Sequence, residues 1–204
     1  KLQKDLIRGK VMLRKSIRTL NVLIFPTVCL TLLLADEIVH ILLTDKWLPS
    51  VIYLKLFSVI LGLHHIYMTS SAYINSLGHS FVTLKYSIFN KSIAFVVLAL
   101  TLNDGIEAII YGQLLVVILL IIFNTIPNRK YIKYSFKEQA SDIVPILAIN
   151  IFLYFSFSAI NFEMANKFFQ IILVTSIFLL VYLLMVFTFR LQVISDWSKI
   201  FKSN

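Results

Sequence analysis

The sequence predicts an all-α fold, a polytopic membrane helix bundle of six transmembrane helices with an interfacial N-terminal helix. Of the 204 residues, 59% are hydrophobic and only 14% are charged, whereas soluble domains average about 25% charged residues. Six apolar stretches approach or exceed the roughly 20 residues that a helix needs to cross a bilayer. None of them alternates apolar and polar residues over ten-residue segments, as the strands of a membrane β-barrel would.

The first element is a basic segment at residues 1–19. Leu2, Leu6, Leu13 and Ile17 recur in it at near-helical spacing, which predicts a cytoplasmic interfacial helix with one apolar stripe. The chain opens with Lys, and nothing near its start has the short apolar core and small-residue cleavage site of a signal peptide. We therefore expect a fragment of a longer protein whose upstream residues begin membrane insertion.

The predicted spans follow in chain order and are separated by short polar breaks. They are residues 20–43, 47–74, 81–102, 108–126, 143–160 and 168–189. Asp36 and Glu37 interrupt the first span, and we place them at the outer interface in preference to a proton relay. The organisation is therefore four spans over residues 20–126, a basic loop at 127–142, two spans over 143–189, and a tail at 190–204.

The distribution of charge gives the expected topology. With the N-terminus inside and six spans, 16 of the 19 Lys and Arg residues fall on the cytoplasmic side and three on the outer side. Leaving out Lys85 and Lys91, which lie within a span, the numbers are 14 and three. This is the positive-inside pattern, and it predicts that both termini are cytoplasmic, with outer loops near residues 36–46, 103–107 and 161–167. The net charge of +9 is then mostly explained by the positive-inside rule. The expected partner is therefore the lipid bilayer and not a nucleic acid.

The sequence carries no enzyme motif that we can identify. It lacks HExxH, GxSxG and a Walker lysine loop, and apart from Asp36 and Glu37, which we place at the outer interface, no span contains paired carboxylates. Cys29 is the single cysteine, so it forms no intramolecular disulfide and we expect a buried thiol. His64 and His65 are adjacent and point about 100° apart on a helix, which favours polar packing over a shared functional site. We therefore expect no enzyme activity, metal or cofactor.

Three lysines within predicted spans are the candidate binding residues. Lys91 lies beside Asn90 near the middle of its span, where insertion of a lysine costs about 2.5–3.5 kcal/mol. It should therefore face protein or water, either lining a cavity that contacts an anion or pairing with a neighbouring helix. Lys55 and Lys85 are weaker candidates, because both are close enough to an interface to snorkel.

Three local patterns occur in a recognisable order. They are Asn21-Val-Leu-Ile-Phe-Pro26, Ile41-Leu-Leu-Thr44-Asp-Lys-Trp47-Leu-Pro49 and, one helix later, Ala72-Tyr-Ile-Asn75-Ser-Leu-Gly78-His79. This order resembles the C-terminal half of Wzx-like polysaccharide or lipopolysaccharide flippases of the multidrug/oligosaccharidyl-lipid/polysaccharide exporter superfamily. In that family the second run ends Leu-Leu-Phe-Gly-x-x-Trp-x-x-Ala, and an Asn-x-x-Gly-Arg/Lys turn follows. Here Thr44 stands where glycine is usual, and His79 stands where a stronger base is usual.

The residues that this sequence shares with the family patterns also have physical roles of their own. Trp47 suits the membrane–water interface as an anchor. Gly78 can end a helix in a left-handed conformation while Asn75 satisfies nearby backbone groups. We expect all three residues to be structural and not to contact substrate.

The resemblance implies a protein of twelve to fourteen helices in two lobes around a central cavity. Such proteins carry an undecaprenyl-diphosphate-linked oligosaccharide across the bacterial cytoplasmic (inner) membrane for surface polysaccharide biosynthesis. This chain would hold the last six helices, its partner would be the missing N-terminal lobe, and alone it should not transport. Lys91 would then contact the diphosphate. The alternatives are a membrane-embedded glycan polymerase or acyltransferase, and a multidrug exporter of the same superfamily.

Overall fold

The computed structural model describes residues 2–160, 162, 164 and 166–188, with side chains from Ile7 onward. Every regular element in these residues is helical, and they contain no strand. The long helices are α1 (Leu2–Leu43), α2 (Val51–Ser76), α3 (Ser80–Thr101), α4 (Ile106–Phe123), α5 (Phe136–Ser158) and α6 (Lys167–Thr188). Short helical turns lie at Asp45–Ser50, Leu102–Asp104, Thr125–Pro127 and Asn128–Ile132.

The prediction of a six-span helical membrane protein is confirmed. Within the described residues, six helices are long and apolar enough to cross a membrane, and each contains most of one predicted span. The end of the last predicted span at residue 189 and the tail at 190–204 lie outside the described residues.

The predicted interfacial segment and the first span lie on one helix. α1 runs for 42 residues without a break. At its start Leu13 and Ile17 are buried, while Ile7, Val11 and Met12 are exposed. The apolar stripe predicted from the sequence therefore faces protein at Leu13 and Ile17.

α5 begins seven residues before the predicted span because a capping box starts it. The Ser135 backbone N–H donates to Glu138 Oε2 at 2.9 Å, and the Glu138 N–H is 3.3 Å from Ser135 Oγ. The two residues thereby satisfy each other's free N–H groups, as Ser-x-x-Glu sequences do at helix starts. Part of the predicted loop at 127–142 is thus helical.

The described residues form two compact units. Unit 1 comprises residues 2–17 and 59–141, and unit 2 comprises residues 18–58 together with the described residues from 142 to 188.

In unit 1, α3 and α4 pack closely at a glycine. A Cβ atom on Gly112 would lie 2.8 Å from Val97 Cγ1, so only glycine allows this approach without a shift. The Phe89 and Phe123 rings meet edge to face, with 5.6 Å between their centroids.

The start of α5 in unit 1 is tied to the basic segment of α1. Glu138 forms ion pairs with Lys10 at 2.7 Å and with Arg14 at 3.3 Å. The carboxylate is 30% exposed. Such partly exposed pairs contribute about 0–1 kcal/mol each.

In unit 2, buried polar groups join α1 to α5. Arg18 Nε lies 2.9 Å from Asp142 Oδ1, and the Asp142 side chain is only 1% exposed. The fully buried Asn21 donates from Nδ2 to the Asp142 carbonyl at 3.1 Å. Cys29 is buried as expected, and its thiol lies 3.5 Å from the Asn150 carbonyl.

A proline inside α1 creates a second polar contact, this time with α6. Pro26 has no N–H, so the Val22 carbonyl lacks its usual i+4 donor. The Tyr182 hydroxyl donates to that carbonyl at 2.9 Å. Tyr182 is only 2% exposed, so the bond satisfies a backbone carbonyl that would otherwise be buried without a partner.

Candidate functional site

Lys91 lies halfway along α3 of unit 1, about 17 Å from the start of the helix. Its side chain is exposed, and in the part of the chain that the structure describes it has neither a hydrogen bond nor an ion pair. The neighbouring Asn90 is 4% exposed. Both amide atoms of Asn90 lack a hydrogen-bond partner within the described residues.

Lys85 precedes Lys91 by six residues, which places the two about 120° apart around α3. Its ammonium group lies 4.7 Å from the centroid of the Phe81 ring, a cation–π distance. The two lysines of α3 therefore face different directions and do not form one binding site.

The positive charge of Lys55, in α2 of unit 2, is compensated by a carboxylate. Its Nζ lies 2.9 Å from Asp36 Oδ2, and the Lys55 and Asp36 side chains are 31% and 60% exposed. The pair sits where the sequence predicted the outer interface. Among the three candidate lysines, only Lys55 has an ion-pair partner in the described residues.

Unit 2 also contains a cavity of about 310 Å³ into which polar groups project. Gln170 Nε2 donates to Glu37 Oε1 at 2.7 Å, and the Met164 backbone N–H donates to Gln170 Oε1 at 3.2 Å. These bonds fix both ends of the Gln170 amide. The polar and aromatic residues of the lining are Glu37, Lys55, Tyr154, Phe157, Ser158, Phe162 and Gln170.

The lining of this cavity combines polar groups with an apolar wall. A carboxylate, an amide and hydroxyl groups supply hydrogen-bond acceptors and donors, and the Phe157 and Phe162 rings, stacked 5.9 Å apart, supply an apolar wall. Sequence reasoning included Lys55 but missed Glu37 and Gln170 as lining residues. Gln170 could have been found, because it is a strongly polar side chain within the charge-free last span.

The predicted structural residues lie at helix ends. Trp47 is 54% exposed on the turn Asp45–Ser50. Gly78 has φ +84°, and its N–H donates to the Asn75 carbonyl while the His79 N–H donates to the Ile74 carbonyl. These two bonds form a Schellman motif that closes α2. The Asn75 side chain accepts a hydrogen bond from the Thr83 hydroxyl.

Thr44, where the resembling family has glycine, adopts a glycine-like conformation. Its φ is 75° and its ψ is 168°. Gly105, before α4, has nearly the same angles, φ 93° and ψ 175°. This region of backbone space is essentially restricted to glycine and costs other residues about 1–3 kcal/mol.

The histidines make local contacts, and His40 pairs with the Asp45 carboxylate. The ring of His64 stacks on that of Tyr67, His79 packs against Tyr131, and His65 Nδ1 contacts the Gly62 carbonyl. The described residues contain no group of three His, Cys, Asp or Glu side chains that could hold a metal ion.

The fold and these sites define a multi-pass helical membrane protein with ionisable side chains on its spanning helices. Residues 1–52, about a quarter of the chain, match a family model described as "Polysaccharide biosynthesis protein". The match covers α1, the turn after it and the first residues of α2. No curated protein and no solved structure matches the chain.

Proposed function

We propose that this chain is the C-terminal portion of a transporter that flips a lipid-diphosphate-linked oligosaccharide across the bacterial cytoplasmic membrane. The observation that carries the proposal is the match of residues 1–52 to polysaccharide biosynthesis proteins. Six apolar helices are compatible with a transporter, because alternating access is built from packed spanning helices. The whole protein would supply lipid-linked glycan for surface polysaccharide or lipopolysaccharide.

Lys91 is the proposed contact for the diphosphate. A diphosphate that leaves water needs fixed charges in place of its hydration. Lys91 is exposed at mid-span and has no partner in the described residues, so its charge is free to attract an anion. The alternative of a structural partner on a neighbouring helix gains no support from these contacts. The polar cavity of unit 2 is the proposed contact for sugar hydroxyls.

The proposed topology has both termini in the cytoplasm. Cysteine variants at Asp104 and Lys133, made after replacement of Cys29, are to be labelled in intact cells with a membrane-impermeant maleimide. Position 104 should react from outside, and position 133 should react only after permeabilisation. The reverse pattern would invert the topology.

Deletion of the complete gene tests the function directly. We expect lipid-linked repeat units to accumulate on the cytoplasmic leaflet and surface glycan to disappear, and the complete gene should restore both. Single repeat units at the cell surface without polymer would instead favour a polymerase. Normal surface glycan with no accumulated intermediate would contradict the flippase proposal.

The role of Lys91 is tested by complementation with Lys91→Arg, Lys91→Gln and Lys91→Leu at matched membrane abundance. Lys91→Arg should retain most export, whereas Lys91→Leu should abolish it. Lys46→Leu, at an exposed lysine of the turn after α1, is the matched control and should export normally. Export by Lys91→Leu at the wild-type level would end the diphosphate role, and loss of abundance in all three variants would favour the structural one.

A further inference from the structure

Unit 1 contains an open groove between α3 and α4 that the proposed transport function does not use. Its volume is about 490 Å³, and it is lined by Lys85, Tyr86, Phe89, Phe123 and Ile126. α3 is the least covered of the spanning helices, since only 11% of its most apolar stretch is buried. The groove walls are therefore apolar and accessible from the side of the helix pair.

The groove has a cation at its edge with no anion to balance it. Lys85 has no carboxylate partner among the described residues, and its ammonium group lies over the Phe81 ring. Arg129 and Lys130, both exposed, follow Ile126 by three and four residues. Glu138, the nearest acidic residue after them in the chain, already pairs with Lys10 and Arg14. This part of unit 1 thus has an excess of positive charge.

The depth of the lysine matches a lipid phosphate. Lys85 lies about 8 Å from the start of α3. Ile126 lies just past the C-terminal end of α4. The predicted topology places both in the cytoplasmic half of the bilayer. A lysine at this depth can extend its ammonium group to the headgroup level while its methylenes stay in the apolar region.

We propose that this groove is a binding site for an anionic phospholipid, with one acyl chain between Phe89 and Phe123 and the headgroup phosphate on Lys85. The apolar walls fit an acyl chain, and the unbalanced cations select a headgroup with net negative charge. The site differs from the proposed diphosphate contact, because Lys91 faces another side of α3. The inference is independent of the proposed transport activity.

Native mass spectrometry of the purified full chain tests the site. The protein is titrated with dioleoyl phosphatidylglycerol and separately with dioleoyl phosphatidylcholine, and the first bound lipid is measured. We expect a clear preference for phosphatidylglycerol and a roughly fivefold weaker first site in Lys85→Gln, as one basic residue near a membrane surface contributes. Phosphatidylcholine binding should be unchanged, and the control Lys46→Gln should bind like the parent chain.

Three outcomes would overturn the proposal. These are equal affinity for the two lipids, unchanged phosphatidylglycerol affinity in Lys85→Gln, and displacement of the first phosphatidylglycerol by substoichiometric undecaprenyl diphosphate. The last would assign the groove to the transported lipid. Unchanged phosphatidylcholine binding in each variant verifies that the groove of unit 1 remains folded, and low reactivity of the buried Cys29 thiol verifies the same for unit 2.

Discussion

In unit 2, hydrogen bonds join α1 to α5 and α6 across sequence separations of 121 to 160 residues. In unit 1, α3 and α4 meet through Gly112 and one pair of aromatic rings, and the buried Asn90 amide between these contacts has no partner in the described residues. The α3–α4 pair of unit 1 is therefore packed differently from the helices that contact α1 in unit 2.

The two kinds of contact constrain the helices differently. A buried polar pair is satisfied in one helix register only, so it fixes which helix faces which. Packing through small residues fixes a close approach but leaves the remaining faces apolar. The exposed side chains of α3, including Phe81, Ile88, Phe95 and Leu100, are accordingly available to lipid or to another part of a larger protein.

The largest expected effect concerns two carboxylates one turn apart on α5. Asp142→Asn should lower the free energy of unfolding by about 3 kcal/mol, because it removes the buried charge that Arg18 contacts. Glu138→Gln should lower it by less than about 1 kcal/mol, since that carboxylate is partly exposed. The measurement is the temperature at which Cys29 becomes reactive to a thiol dye. Equal shifts in the two variants would contradict the contrast between the units.

The second prediction concerns the hydrogen bond from Tyr182 to the Val22 carbonyl, which Pro26 leaves without a donor in its own helix. Tyr182→Phe should cost about 1–3 kcal/mol, because the Val22 carbonyl is left buried without a donor. In a Pro26→Ala background the helix supplies its own N–H donor, so Tyr182→Phe should cost much less. A double-mutant cycle measures the coupling, and a value below about 0.5 kcal/mol would mean that the two sites act independently.

The third effect has the opposite sign and belongs to unit 1. Asn90→Leu should raise the free energy of unfolding by about 1–2 kcal/mol, because it removes a buried amide that lacks partners in the described residues. Asn128→Leu is the matched control and should destabilise, since Asn128 Nδ2 donates to Ser70 Oγ and Gln139 Oε1. Thermal unfolding in detergent with the same dye compares them. Destabilisation by Asn90→Leu would show that the amide is bonded in the folded protein.

The smallest expected effect compares two residues with the same unusual backbone. Thr44→Gly should stabilise by about 1 kcal/mol, because relief of about 1–3 kcal/mol of strain exceeds the added entropy of glycine, about 0.5–1 kcal/mol. Gly105→Ala should destabilise, although an added Cβ atom would meet nothing within 4 Å, since the backbone angles alone disfavour alanine. Thermal unfolding midpoints that move in the same direction in both variants would refute this account.

Much of the helical architecture could be predicted from the sequence because a bilayer imposes span length and apolarity. The early start of α5 was also encoded locally, in the Ser135 to Glu138 capping box, which loop assignment by charge overlooked. The contacts between helices could not be predicted. Hydropathy identifies Asn21 and Asp142 as polar residues near apolar segments. It does not show that the Asn21 side chain donates to the Asp142 carbonyl 121 residues away.

For the candidate site, the sequence identified the lysines but not their contacts. Depth in a span identified Lys91, Lys85 and Lys55 as residues in need of a partner, and the sequence alone did not show that only Lys55 pairs with a carboxylate. Glu37 and Gln170 were missed as a pair because they belong to the first and last helices.

The bond from Tyr182 to Val22 also bears on how the protein is made. The ribosome synthesises Val22 160 residues before Tyr182. Until α6 arrives, the Val22 carbonyl has no donor from its own helix, and full exposure to lipid would cost several kcal/mol. During biogenesis this part of α1 should therefore stay near water or the insertion machinery. Insertion of α6 would then allow α1 to take its final place.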